Sequence, residues 1–288
     1  MAILLDGKKL REKKYSEIVK RVSNLKNKGI TPHLAVVQVG NDMASSIYIK
    51  HKENACKNMG INFTKINLED SISYKKLKDE VAKLNENPLI HGIIIQFPLP
   101  KQLTDKNINA LVDVWKDADG IHPFNQGVHM TRVNTYAPKS CTPNGIMEFF
   151  KEYKIDLEGK HVVVVGRSNI VGRPIAYLMA NENATLSLLH SRTTKIDFHA
   201  EIQVADIIIL ATGQQDIITP DMVKQDVIII DVGITKTSEG RLRGDVLYKD
   251  FMDKASYITP VPGGVGPMTV TMLIINVVEL AEKSIKRK

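Results

Sequence analysis

Ser45, Tyr48 and Lys52 follow one another at spacings of three and four residues, which places all three on one face of a helix. A lysine so held is equipped for proton transfer. Its amine, once neutral, takes a proton from water, and a neighbouring phenol fixes its direction without adding net charge. A second set lies downstream. The apolar run His161-Val162-Val163-Val164-Val165 ends in Gly166-Arg167-Ser168-Asn169-Ile170-Val171-Gly172-Arg173-Pro174. Strand, glycine turn and helix start, in that order, aim backbone N–H groups and a positive helix end at a phosphate. The spacing is G-x5-G and not the G-x-G-x-x-G fingerprint, so taken alone the turn is also an ordinary α/β connection.

The end of the next apolar run reads His190-Ser191-Arg192-Thr193. Dinucleotide domains read the ribose there, and a carboxylate favours NAD. Here a hydroxyl and a guanidinium stand instead, as does Arg167 at the turn, and both suit a 2′-phosphate. The pattern therefore predicts NADP. Later runs end in Ala211-Thr212-Gly213 and Asp231-Val232-Gly233-Ile234, small residues where a cofactor would lie along the carboxyl edge of a sheet.

The elements that carry these residues follow from hydrophobic periodicity. Leu10 to Leu25 has helical spacing, Leu34–Val37 and Gly92–Ile95 read as buried strands, and helical stretches cover Ala44–Met59 and Ser73–Leu84. That alternation predicts a parallel α/β domain. A stretch rich in Pro, Asn, Asp and His follows, with a boundary expected near Ala137-Pro138. Thr142-Pro143 reads as a cap and first residue of a helix running to about Tyr153. Strands are then expected at His161–Val165, Thr185–Leu189, Asp206–Ala211 and Val227–Val232, the rhythm of a doubly wound, Rossmann-type parallel sheet. A Gly/Pro-dense segment, Pro260 to Pro267, precedes a last helix from Met268 to Ala281.

The chain has 288 residues, 43% of them hydrophobic and 25% charged. This is a globular composition, long enough for two domains and unlike a disordered or fibrous chain. Two cysteines without a CxxC exclude a disulfide framework and argue against a structural zinc site, and the eight histidines show no metal-ligand spacing. The N-terminus lacks a signal-peptide core, and the longest apolar runs look strand-sized. A cytoplasmic protein is expected. Net charge is +7, and residues 1–80 carry 16 Lys and Arg against 9 Asp and Glu. Much of that excess reads as a solvated helix face. It would also steer an acidic small substrate, whereas few aromatics accompany it for stacking nucleic-acid bases.

Tyr-x-x-x-Lys also marks short-chain dehydrogenases, where it follows the glycine turn; here it precedes that turn by more than 100 residues. Its companions point elsewhere. They are Gly92-Ile93-Ile94-Ile95-Gln96-Phe97-Pro98-Leu99-Pro100, Lys116-Asp117-Ala118-Asp119-Gly120 and Pro260-Val261-Pro262-Gly263-Gly264-Val265-Gly266-Pro267-Met268-Thr269. With the Gly166–Pro174 turn, these closely resemble the bifunctional methylenetetrahydrofolate dehydrogenase/methenyltetrahydrofolate cyclohydrolase family, in order and at full length from about Leu5 to Ala281.

The resemblance implies a reaction of one-carbon metabolism that feeds purine biosynthesis. NADP⁺ takes a hydride from 5,10-methylenetetrahydrofolate, and water then opens the methenyl cation to 10-formyltetrahydrofolate. It implies Lys52 as the central catalytic residue, Tyr48 as its helix-face partner, Gln96 as the lysine's hydrogen-bond partner and Asp119 as the anchor of the pterin ring. Ile95, Phe97 and the loop Pro260, Val261, Pro262, Gly263 and Gly264 would line the folate. Gly166, Arg167, Ser168, Val171, Gly172, Ser191, Arg192, Gly213 and Ile234 would hold the cofactor. Each of these has a bland reading when taken singly: a surface lysine, a capped strand end, a turn aspartate, a domain hinge.

The resemblance further implies a folate-binding catalytic domain of residues 1–138, joined by helix 268–288, an NADP-binding domain of residues 139–267, a cleft between them and a homodimer. Folates bearing a polyglutamate tail would suit the basic N-terminal part. Neither nucleic acid nor membrane is an expected partner. Cys141 would sit near the site as a small buried residue without a nucleophilic role. The family more usually has Pro where this chain has Ser140, which bears on loop rigidity there. The absence of a G-x-x-x-x-G-K-[ST] loop argues against an added ATP-driven synthetase activity. Three rivals remain at this stage: another two-domain NADP oxidoreductase such as a shikimate-type dehydrogenase, a non-catalytic folate- or nucleotide-binding protein, and a nucleic-acid-binding module.

Overall fold

A computed structural model of the chain describes residues 1–237 and 240–285. In chain order the elements are β1 (Ile3–Leu4), α1 (Gly7–Lys26), β2 (His33–Val39), α2 (Met43–Met59), β3 (Asn62–Leu68), α3 (Tyr74–Glu86), β4 (Gly92–Gln96), α4 (Lys101–Thr104), α5 (Pro123–Thr131) and α6 (Cys141–Glu152). There follow β5 (His161–Val165), α7 (Gly172–Asn181), β6 (Thr185–Leu189), α8 (Lys195–Val204), β7 (Ile207–Leu210), β8 (Val227–Asp231), β9 (Thr235–Lys236), β10 (Leu242–Arg243), β11 (Ala255–Ile258) and α9 (Val265–Ile285). They form two compact units. One comprises Lys13–Cys141 with the chain from Val270 onward, the other Met1–Glu12 with Thr142–Thr269.

The unit containing Lys52 is built on a three-stranded parallel sheet in the order β3-β2-β4. The central strand runs in register with β4, pairing Val37 with Ile95 and Gln38 with Gln96. One face of the sheet (Ala35, Val37, Val39, Ile93, Ile95) packs on Leu77, Val81 and Leu84 of α3 in a buried cluster. Leu34, Val36 and Ile94 on the opposite face are buried as well, as expected of a parallel sheet covered on both sides. Strand β3 was not expected from the sequence. Its residues are half-buried at best, because it is an edge strand whose Asn, Thr and Lys dilute the apolar signal.

Local capping sets the ends of α2, the helix that bears Tyr48 and Lys52. The Asp42 carboxylate accepts from Ser45 N at 2.7 Å, and Gly60 closes the helix in the left-handed conformation at φ 68°.

The second unit holds a six-stranded parallel sheet in the order β1-β11-β8-β7-β5-β6. Its continuous runs of Val and Ile are buried on both faces. Numbered within the unit from β5, the main strands run 2-1-3-4-5. That is one of the two common doubly wound orders, and it reverses between β5 and β7. Strands β5 and β6 match the expected spans residue for residue.

Four sequence expectations need correction. Residues 1–12 belong with the nucleotide-type sheet and not with the N-terminal domain. Strand β1 pairs parallel with β11 and covers that strand's open edge. Directly after it, Gly7 N donates to Gly263 O at 2.9 Å, an approach so close that a Cβ on Gly7 would stand 1.8 Å from Gly264 O. Helix α6 starts at Cys141, so Thr142 lies inside its first turn with its hydroxyl 2.9 Å from that of Thr269. Helix α9 starts at Val265, three residues before the expected Met268, because Gly266 and Pro267 fit a first turn. At 21 residues, α9 is also long and apolar enough to cross a membrane, contrary to the strand-sized runs read from the sequence, but most of it is buried in the protein as a core helix. Residues 286–288 of the expected last helix lie outside the described residues.

Candidate functional site

The end of β4 and the middle of α2 bring two of the expected residues together. Lys52 Nζ donates to Gln96 Oε1 at 2.9 Å. The orientation of the Gln96 amide is itself set, since its Nε2 donates to Phe97 O at 2.8 Å and so leaves Oε1 toward the lysine. Ser45 Oγ donates to the same Phe97 carbonyl at 3.2 Å. The buried Gln38, opposite Gln96 in the sheet, donates to Ser46 Oγ at 3.1 Å and to Asp42 O at 3.3 Å, tying the start of α2 to β2. Sequence reasoning did not single out Gln38. Its signal was a lone polar residue within the apolar run Leu34–Val39.

Tyr48 lies one turn before Lys52 with its ring partly exposed, and partial burial pushes its phenol up. Ile95 is buried beneath the strand end, whereas Phe97 is exposed. Phe97–Pro98 and Val261–Pro262 are cis peptides.

Asp119 sits in a turn that follows β4's bridge partner, Asp117. The two aspartates differ in kind. Asp117 is buried and accepts from Ile121 N (3.2 Å), His122 N (2.8 Å) and Asn125 Nδ2 (2.8 Å); burial pushes it up to about 6 against those bonds. Asp119 is half-buried, with its backbone carbonyl taken by Cys141 N at 3.2 Å. Asp119 and Lys52 both act on the Cys141 thiol. Burial above all, then the Asp119 charge, pushes that thiol well up, while the Lys52 charge pulls it down. Cys141 is therefore surrounded by the site without being a nucleophile at neutral pH. Ser140, standing where the resembled pattern has Pro, is buried and donates to Gly120 O at 2.7 Å, so a side-chain bond fastens the loop.

In the other unit, Gly166 closes β5 at φ 118°. A Cβ there would lie 2.4 Å from Ala211 O at the end of β7, where the strand order reverses. Only glycine meets both demands. Ser168 caps the turn, its Oγ accepting from Val171 N (3.2 Å) and Gly172 N (3.4 Å) as α7 begins. Arg167 and Ser168 are exposed beside that helix start, as are Ser191 and Arg192 beyond β6. Gly213 and Ile234 are exposed at the ends of β7 and β8.

Two buried carboxylates that the sequence did not mark as functional shape these last loops. Asp245 Oδ2 accepts from Thr212 N (2.8 Å), Thr212 Oγ1 (2.7 Å) and Gly213 N (3.3 Å). Asp231 accepts from Gly233 N (2.9 Å), Asp245 N (3.1 Å) and Val246 N (3.0 Å), and burial pushes it up to about 6. The backbone cradle at the switch point, the helix N-terminus and the exposed guanidinium groups fit a phosphorylated dinucleotide.

Pro260, Val261, Pro262, Gly263 and Gly264 belong to this second unit. Gly264 N donates to Pro260 O at 2.7 Å, which closes the turn against Gly7.

The cradle yields a stability test. A Cβ on Gly172 would meet Gly166 O at 2.0 Å and Gly166 C at 2.6 Å, both backbone atoms of a tight turn. Gly172→Ala is expected to cost about 1–3 kcal/mol, as overpacking does, and to weaken cofactor binding. A melting curve and a cofactor titration check this, and an unchanged melting temperature would contradict the crowding read from the turn.

Residues 5–119 match the catalytic domain of tetrahydrofolate dehydrogenase/cyclohydrolase, and residues 140–285 match the NAD(P)-binding domain of the same family. The bifunctional protein FolD of Nautilia profundicola is 50% identical over 283 residues, covering 98% of each chain. The crystal structure of the bifunctional enzyme FolD, a methylenetetrahydrofolate dehydrogenase/cyclohydrolase from Campylobacter jejuni, superposes with a TM-score of 0.95 at 41% identity, covering 98% of this chain and 99% of that one. The Trypanosoma brucei dehydrogenase-cyclohydrolase complexed with NADP and an inhibitor gives 0.93 at 33% identity, covering 99% of each.

Proposed function

The chain belongs to the tetrahydrofolate dehydrogenase/cyclohydrolase family, and on that premise we propose how its residues divide the work. The enzyme oxidises 5,10-methylenetetrahydrofolate to the methenyl cation with NADP⁺ and hydrolyses that cation to 10-formyltetrahydrofolate. When bound, NADP supplies the hydride acceptor. The observation that carries the assignment of roles is the bond from Lys52 Nζ to Gln96 Oε1.

In this reading Asp119 accepts two hydrogen bonds from the amino-pyrimidinone edge of the pterin, a charge-assisted pair. Tyr48, Ile95 and Phe97 line the folate beside it, as does the Pro260–Gly264 loop. Loss of the hydride leaves positive charge on the folate, and a second cation beside it is unfavourable. Hydrolysis of the cation needs a group that takes a proton from water, and in this reading the Lys52 amine is that group. Gln96 and Tyr48 orient that amine toward water. As the water oxygen bonds to the methenyl carbon, Nζ takes a water proton. The Lys52 ammonium then returns that proton to N5 as the bond from the carbon to N5 breaks, and the remaining hydroxyl proton passes to solvent as the C=O forms, leaving the formyl group on N10.

In the nucleotide unit, Gly166, Ser168, Val171 and Gly172 present the turn and helix start to the pyrophosphate. Arg167, Ser191 and Arg192 hold the 2′-phosphate, and Gly213 and Ile234 flank the nicotinamide end. A folate-binding domain of residues 13–138 joined by the chain from Met268 onward, and a nucleotide domain of residues 1–12 and 139–267, is the functional division we propose. The family resemblance supports a cytoplasmic homodimer, and the basic N-terminal part supports folates with an acidic tail.

The decisive assay mixes purified protein with methylenetetrahydrofolate and NADP⁺ or NAD⁺ and follows reduced cofactor and methenyl-folate by absorbance. Reduced cofactor without lasting methenyl-folate, after subtraction of uncatalysed hydrolysis, is the expected result. Accumulating methenyl-folate would remove the cyclohydrolase role. Replacing Arg167 or Arg192 by Ala is expected to weaken NADP by about tenfold, the worth of one charge-assisted contact of about 1.4 kcal/mol, and NAD hardly at all. Parallel titrations check this, and equal losses for both cofactors would refute the 2′-phosphate assignment.

A further inference from the structure

Asn276 is the only Asn or Gln in α9, and it is buried at 2% exposure. The two short bonds of its amide go to main-chain carbonyls. Nδ2 donates to Ala118 O at 2.8 Å and to Lys139 O at 2.9 Å, with Cys141 Sγ at 3.5 Å. The two carbonyls bracket Asp119. Ala118 immediately precedes it, and Lys139 lies on the segment that covers Gly120, where a Cβ would stand 2.2 Å from Lys139 C. On the other side, Cys141 N donates to Asp119 O at 3.2 Å and Ser140 Oγ to Gly120 O at 2.7 Å. The carbonyls of residues 118, 119 and 120 are thus each held by a donor, the Cys141 thiol adding a longer bond to Ala118 O at 3.4 Å, and the Asn276 amide ties the 118 and 139 segments to each other through one group. A carboxylate that must meet two donors of a flat ring loses much of its value when displaced by about 1 Å.

We propose that Asn276 is a positioning residue for folate recognition: it sets the direction of the Asp119 carboxylate through the backbone, from a helix more than 150 residues away in sequence. The proposal rests on the reading of Asp119 as the pterin anchor, and its test separates the two.

Asn276→Asp keeps the shape but sets a carboxylate oxygen against two carbonyls; Asn276→Ser is too short to span both. Either variant is expected to raise KM for methylenetetrahydrofolate about tenfold, a loss of about 1.4 kcal/mol, with kcat changed less than about threefold and NADP affinity unchanged. In an Asp119→Ala background, Asn276→Ser is expected to add less than about twofold to KM, because coupled residues are not additive. If Asn276→Asp does not fold, Asn276→Ser carries the test, its folding verified by a cooperative melt. Unchanged KM in folded Asn276→Ser, or KM losses that multiply in the double variant, would overturn the positioning role while leaving Asp119 as anchor. Unchanged KM in Asp119→Ala alone would overturn both.

Discussion

A Lys52→Met protein is expected to hydrolyse methenyltetrahydrofolate about 10³-fold more slowly than the wild type, within the range a positioned acid–base group contributes, and to bind NADP unchanged. Methionine keeps the unbranched stem to one atom short of the amine and is a good helix former, so α2 persists between Asp42 and Gly60. The substitution takes the donor from Gln96 Oε1. Gln96 is only half-buried, so water replaces that donor and the cost to folding stays small. What disappears is the amine held by Gln96, the base of the proposed reading. The other hydrogen bonds there, from Ser45 Oγ and Gln96 Nε2 to Phe97 O, hold shape but offer no base. Direct addition of methenyltetrahydrofolate, with its absorbance decay compared with the uncatalysed rate, reads the chemical step. A separate NADP titration shows that the nucleotide unit is untouched. Hydrolysis at the wild-type rate would end the assignment of Lys52 as the base.

The spacing of Tyr48 and Lys52 and the apolar run that ends at Gln96 are short-range patterns and stand in the residues themselves, whereas the roles proposed for them come from the family resemblance; the structure joins Lys52 to Gln96 directly. The same holds for β5 and β6, whose apolar runs end where their turns begin. Long-range pairing was not legible. Strand β1 is two residues long and finds its partner more than 250 residues away, which no local pattern encodes. Strand β3 was hidden by its edge position. Asn276 was hidden for the opposite reason: a polar residue within the apolar stretch of a helix carries no mark of which carbonyls it meets. Asp231 falls inside an expected strand and Asp245 carries no mark in the sequence, yet burial and six backbone or hydroxyl donors make them the ties between the loops bearing Gly213 and Ile234. In each case the missing information was tertiary.

Asp119→Ala is expected to weaken folate binding about 100-fold, equivalent to about 2.7 kcal/mol, with NADP affinity intact. The magnitude follows from the two charge-assisted hydrogen bonds assigned to it, each worth about 1.5–3 kcal/mol when a buried partner is lost, reduced because this carboxylate is only half-buried. Its neighbour makes the contrast. Asp117 has spent its oxygens on Ile121 N, His122 N and Asn125 Nδ2 and holds the turn together. Asp119 is held by its backbone, through Cys141 N, and its half-buried carboxylate meets only the Cys141 thiol among the described contacts, so it keeps acceptor capacity for a ligand. An alanine there removes the acceptors without disturbing those backbone bonds, so the variant folds and loses affinity in both activities alike. A rise in KM for methylenetetrahydrofolate and for methenyltetrahydrofolate by similar factors is therefore the expected pattern. A defect confined to one activity would mean that Asp119 takes part in that chemical step and does not anchor the pterin.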